Sequence, residues 1–311
     1  MSKFIKGCLY VTGIMAAVGL VFFLMGTVFG GLRQAINIGR YGGFDYSVFS
    51  PGGWNWTIST GDCDTFDNEY DYIDDDDLID YQSEALGTVQ DVTAIEISLK
   101  AGEMNIKESD DDTYRLEADD VYKLKCFMDE DVLHIMGQGV KSDYSGIKTQ
   151  SITLYVPAGA DLNDVDIELG AGSGRIEQLN TGDLTVEVGA GELKGSGIKA
   201  DTADIQVGAG TVELKNCEFG EADYEVGFGS VYYQGGLSGD TDISCSMGNV
   251  ELRLDGSEED YDYRIECAMG TVNIGGRQYT GISGEKRLDN GAAHEMLIDC
   301  AMGNITVQFD E

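Results

Sequence analysis

A glycine returns every 19 residues through the middle of this chain, each time inside the same short pattern. Gly172, Gly191, Gly210, Gly229 and Gly248 sit in VDIELGAGSGRI, LTVEVGAGELKG, ADIQVGAGTVEL, ADYEVGFGSVYY and TDISCSMGNVEL. Copies around Gly270 and Gly303 follow after insertions of 3 and 14 residues, and an isolated early copy, IEISLKAGEMNI, holds Gly102. A unit this small cannot bury its own apolar face, so such repeats are stable only when stacked against one another.

Aligned on the glycine, the columns are strand-like. Five residues before it stand Ile97, Ile167, Val186, Ile205, Tyr224 and their counterparts, and three before it Leu99, Leu169, Val188, Val207, Val226, Cys245, Cys267 and Cys300. Apolar columns at period two mark strands with one buried face. Coils piled about 4.8 Å apart would pair every backbone ladder and enclose one core. The expectation is an all-β chain, a β-solenoid of about 19 residues per coil over residues 89–311. The residue just before the glycine, alanine in early copies and then Phe228, Met247, Met269 and Met302, reads as core packing. Cys245, Cys267 and Cys300 read as small hydrophobes in an inward column. Successive rungs would bring Cys245 within disulfide reach of Cys267.

Ahead of the repeats lie three different segments. Residues 1–7 carry Lys3 and Lys6, and residues 8–32, CLYVTGIMAAVGLVFFLMGTVFGGL, hold no charge. About 20 such residues span the hydrocarbon core as one helix. No small-residue cleavage site follows, so an uncleaved anchor is expected rather than a signal peptide. Residues 33–88 read as an aromatic and glycine-rich, then acidic, linker. Within it Tyr41, Phe44, Tyr46, Phe49, Trp54 and Trp56 suit a belt at the membrane surface, and the block DNEYDYIDDDDLID suits an extended, disordered spacer that repels itself.

Charge narrows function further. With 56 Asp plus Glu against 20 Lys plus Arg the formal net charge is −36, and a protein that binds nucleic acid needs the opposite sign. Neither CxxC spacing nor an EF-hand loop occurs, so no cofactor or caged metal is expected. Four residues before the glycine, Glu168, Glu187, Glu225, Glu266 and Asp299 form an outward column. Its candidate chemistry is a low-affinity divalent-cation ladder or a docking strip for a basic partner, set against a solvated acidic face. Two SGIK stretches, Ser145–Lys148 and Ser196–Lys199, lack the companion elements of a serine enzyme of the penicillin-binding type. His134 and His294 have no nucleophile within a recognisable pattern, and no catalytic residue is assigned.

The passage ITLYVPAGADLNDVDIELGAGSGRIEQL, with its Val156–Pro157 step before the glycine-marked repeats, resembles the bacterial putative adhesin family. That resemblance implies a β-solenoid over about residues 90–311, an N-terminal anchor and no catalytic residues. It also favours a single-pass protein of the cell membrane with its C-terminal domain outside the cell. The expected function is a non-enzymatic adhesion, interaction or envelope-sensing module, meeting the membrane through its helix and a protein or cell-wall surface through the solenoid. The alternatives are a scaffold polymerising through exposed solenoid ends and a carbohydrate-active β-helix enzyme.

Overall fold

Alternating apolar residues need a partner strand on each side, and the chain supplies them almost entirely from its own repeats. The computed structural model describes residues 45–49, 55–59, 92–110, 113–119, 121, 124–137, 150–281 and 285–310. Residues 8–32, expected to span a membrane, and the acidic spacer lie outside the described residues. Among the described residues no helix is long and apolar enough to cross a membrane.

The linker is not wholly irregular. β1 (Asp45–Phe49) and β2 (Asn55–Ser59) pair antiparallel, Val48 opposite Trp56 and Tyr46 opposite Ile58. Alternating aromatic and β-branched residues flanking a Pro-Gly-Gly step are hairpin signals, and they lie inside the segment expected to be a linker.

The second unit is the solenoid. It opens with β3 (Ala94–Ser109), followed by β4 (Arg115–Asp119), β5 (Lys125–Asp129), β6 (Val132–Gly137) and β7 (Ser151–Pro157). Three long bent strands then supply the central coils: β8 (Leu162–Val188), β9 (Glu192–Val207) and β10 (Thr211–Val226). They pair parallel at an offset of one repeat, as in Val186 with Ile205 and Ile205 with Tyr224. Within a coil, burial divides 19 residues into three walls. In β10 these are Val212 and Leu214, then Cys217 and Phe219, then Ala222, Tyr224 and Val226, each inward residue no more than 2% exposed. Exposed corners at Lys215–Asn216, Gly220–Glu221 and Gly227–Phe228 separate them. The first corner is left-handed in successive coils, with φ of 59° at Gln178, 68° at Gly197 and 53° at Asn216.

The glycine column is explained by close approach. A Cβ at Gly191, Gly210, Gly229 or Gly248 would run into the carbonyl oxygen of the glycine one rung below. The isolated early copy belongs to the same stack: Ile97 pairs with Ile167 and Leu99 with Leu169, 70 residues away.

Rung order departs from chain order at both ends. β11 (Ser230–Leu237), β12 (Thr241–Cys245) and β13 (Asn249–Asp255) continue the stack, but β14 (Tyr261–Cys267) and β15 (Thr271–Ile274) leave one place empty. After β16 (Arg277–Thr280) and β17 (Lys286–Leu288), the chain returns as β18 (His294–Cys300) and β19 (Asn304–Asp310) and fills it. β18 pairs with β12 on one side and β14 on the other; β19 likewise lies between β13 and β15. The sequence alone suggests Cys245 beside Cys267, but Cys300 stands between them, and all three are buried free thiols. Burial, followed by Cys267 and Cys245, pushes the Cys300 thiol up to about 12. Antiparallel strands close both ends, β4 on β7 and β5 on β6 at one, β16 on β15 and β17 on β14 at the other.

One column expected in the core is outside it. Phe228, Met247, Met269 and Met302 are 57%, 44%, 66% and 40% exposed. The residue before the glycine occupies a corner, where the chain turns between walls and period two no longer predicts which way a side chain points.

Removing buried bulk from the inserted strand should therefore matter, and trimming the corner should not. Ile298→Ala is expected to cost about 2–4 kcal/mol and Gly210→Ala about 1–3 kcal/mol through overpacking. Met302→Ser should stay within about 0.5 kcal/mol, all read by urea denaturation.

Candidate functional site

Charge is sorted among the three walls. Between residues 150 and 260 the chain has five basic residues, Arg175, Lys194, Lys199, Lys215 and Arg253. Four project from the first wall, each beside a carboxylate two residues along the same strand: Arg175 with Glu177 at 3.9 Å, Lys194 with Glu192 at 2.8 Å, Lys215 with Glu213, and Arg253 with Glu251 at 2.8 Å. The fifth, Lys199 on the second wall, pairs with Glu218 one rung on at 2.7 Å. The third wall, from about Asp164 to Asp242, receives none of them.

That wall holds the candidate column. In spatial order it runs Glu168, Glu187, Gln206, Glu225, Ser244, Asp299 and Glu266, because β18 is inserted before β14. Gln206 and Ser244 interrupt it, so the candidates Glu168, Glu187, Glu225, Glu266 and Asp299 do not form one continuous ladder. Among the described residues no group of three or more His, Cys, Asp or Glu side chains is placed to hold a metal ion.

A denser acidic set lies two and four residues earlier in each repeat. Asp204, Asp223 and Asp242 face outward in one column, with Asp183, Glu221 and Asp240 beside them, and with Glu295 they line a shallow groove of about 470 Å³. The same 19-residue alignment carries the signal for this set: an aspartate stands six residues before Gly210, Gly229 and Gly248. It is missed when attention rests on the neighbouring glutamates. At the wall's far end Arg264 pairs with Glu295 at 2.9 Å and lies 3.8 Å from Glu285.

Crowding shows in proton affinity. Burial, then the charges of Glu168, Asp166 and Asp204, raise Glu187 to about 7. Burial, then Glu96, Asp164, Glu168 and Asp204, raise Asp166 to about 6. Burial also raises Asp204, Asp223, Asp242 and Asp299. A face held in this condition is relieved by protons or by cations.

The other candidate chemistry dissolves into structure. Ser196 lies on an exposed corner and Lys199 is engaged with Glu218. His134 is buried on β6, stacked on Phe127 at 4.8 Å, with Nδ1 2.9 Å from Glu96. The other SGIK stretch, Ser145–Lys148, lies outside the described residues.

A family model described as Toastrack DUF4097 matches residues 92–277. The chain belongs to the Toastrack DUF4097 family. Strands β18 and β19 lie beyond that match yet sit in register inside the Toastrack stack. Two solved structures are similar to the chain. One is a putative cell adhesion protein from Clostridium sporogenes, 12% identical, covering 72% of this chain and 95% of its own, with a TM-score of 0.32. The other is a putative adhesin from Bacteroides fragilis, 16% identical, covering 70% and 93%, with a TM-score of 0.42. No curated protein matches. Likenesses this distant assign no ligand or partner to the Toastrack domain.

The raised carboxylates give the acidic wall a pH signature. Their folded pKa values lie above the unfolded ones, so the folded state holds the protons more tightly and gains stability as pH falls through the window between about 7 and about 4. The melting temperature should therefore rise from about pH 8 to about pH 5. Glu187→Gln should raise it at the upper end and flatten the slope; a melting temperature that drops over this range would contradict the assignment.

Proposed function

We propose that the protein is a non-enzymatic interaction module of the cell envelope, held at the membrane by residues 8–32, whose solenoid offers its acidic third wall to a basic partner. The observation that carries this reading is the segregation of charge. Basic side chains of the central coils are neutralised in pairs on two walls, while the third collects Asp204, Asp223, Asp242 and their neighbours with no basic residue of those coils among them. Carboxylates that repel one another in a rigid ladder cost stability. A fold that keeps them on one face gains from a cationic surface laid across it, in encounter rate and selectivity above all. Family membership is consistent with an adhesin-like role, and the uncharged stretch of residues 8–32 with anchorage.

End-to-end polymerisation is the weaker reading, because short antiparallel strands cover the parallel ladder at both ends, a common way of blunting edges. A carbohydrate-active enzyme would call for carboxylates singled out from the repeat, and those of the groove mostly repeat with it.

Two measurements test the proposal. Full-length protein in nanodiscs of zwitterionic lipid should bind an oligolysine peptide in a salt-sensitive manner, and Asp204→Asn/Asp223→Asn/Asp242→Asn should weaken binding about tenfold; unchanged affinity would refute the docking wall. On intact cells, added protease should cut within the acidic segment and release the solenoid. Cleavage that requires permeabilised cells would place the domain on the opposite side of the membrane.

A further inference from the structure

Four of the five large hydrophobic side chains that stand exposed among the described residues form a single row. In rung order they are Phe228, Met247, Met302 and Met269, with Tyr232 the fifth, on the first wall. Chain order hides the row, because Met302 comes last in sequence and third in space. Its backbone is a continuous ladder: the amide of Phe228 donates to Gly208, that of Met247 to Gly227, that of Met302 to Ser246 and that of Met269 to Ala301, at 2.7–2.8 Å. In earlier coils the same corner carries only Ala171, Ala190 and Ala209, so the ridge belongs to the C-terminal half of the stack. Monomeric proteins scatter exposed apolar residues singly; an aligned row marks an interaction site.

The ridge stands at the border of the acidic wall. Next to it in each rung is a small residue, Gly227, Ser246, Ala301 or Ala268, and beyond these lie Glu225, Asp299 and Glu266. Apolar and anionic strips thus run side by side, within about 10 Å of each other. Four rungs make the ridge about 14 Å long, the length of about ten residues of α-helix.

We infer that this ridge and the carboxylates beside it form the docking surface for a cationic amphipathic helix of a partner protein. The inference rests on the acidic-wall reading and adds the partner's shape and its apolar face. Charge selects against a second copy of this chain, since a net charge of −36 and like-charged flanks repel. Backbone chemistry selects against an added strand, because the corner amides already donate along the ladder and leave no unpaired edge. What remains to be offered is side chains: unbranched, polarizable methionines that adapt to an apolar stripe, and carboxylates placed to meet lysine or arginine at its margin.

The test compares three synthetic probes on full-length protein in zwitterionic nanodiscs, with the signal of empty discs subtracted. These are a Lys/Leu peptide with leucines at helical spacing, a scrambled peptide of the same composition, and oligolysine. The amphipathic peptide should bind about tenfold more tightly than either control. Met247→Gln/Met302→Gln/Met269→Gln, and separately Phe228→Ser, should remove that advantage while leaving oligolysine binding and the urea midpoint unchanged. If oligolysine binds and the amphipathic peptide binds no better, or if the ridge variants keep the advantage, the ridge inference fails and the acidic wall stands. If the amphipathic peptide alone binds and the ridge variants abolish it, the ridge stands without the wall. Sedimentation showing a wild-type dimer that the ridge variants dissolve would assign the ridge to self-association and overturn the inference.

Discussion

Everything in this structure depends on parallel rungs lying in register at backbone hydrogen-bonding distance. The glycine column shows how close that approach is: the space a Cβ would fill at Gly191, Gly210 or Gly229 belongs to the carbonyl of the rung below. With the corners fixed in this way, identical positions of successive repeats fall on top of one another. Ile205 meets Val186 and Tyr224 on the inside, and Asp204 is followed by Asp223 and Asp242 on the outside. The same registration produces the dry core and the acidic wall, so the outward crowding of carboxylates is a by-product of the stacking that confers stability.

The ends of the stack follow a second constraint. A parallel ladder has two open edges, and both are closed by chain that goes out, turns antiparallel and comes back. At the N-terminal end β3 is enclosed between β8 on one side and β6 and β7 on the other. At the C-terminal end β18 lies between β12 and β14, and β19 between β13 and β15. The last strands of the chain are therefore interior ones, buried through Ile298, Cys300, Ile305 and Val307. The stack is complete only with β18 and β19 in place, which couples these two strands to the stability of the whole domain.

Much of this was legible in the repeat. Inward columns, glycine positions and membership of the distant Gly102 copy all follow from one alignment, because every copy solves the same packing problem. Two things were not. Periodicity says which residues occupy equivalent positions but not which rung follows which, so the place of Cys300 between Cys245 and Cys267 could not be read from spacing. Alternation also fails where the chain turns, and Met247, Met269 and Met302, equivalent to the apolar columns in composition, point outward at a corner. The acidic groove was legible in the aspartates ahead of Gly210, Gly229 and Gly248 but was overshadowed by the glutamates beside them. The hairpin of β1 and β2 was legible in its aromatic alternation.

Register and rung order are tested most directly by nuclear Overhauser contacts among isoleucine methyl groups in the C-terminal half. Ile298 should show contacts to both Ile243 and Ile265, which pair with it across β12 and β14. Ile243 and Ile265, two rungs and about 10 Å apart, should show none to each other. A direct contact between Ile243 and Ile265, with Ile298 remote from both, would contradict the inserted strand and the stacking on which the rest is built.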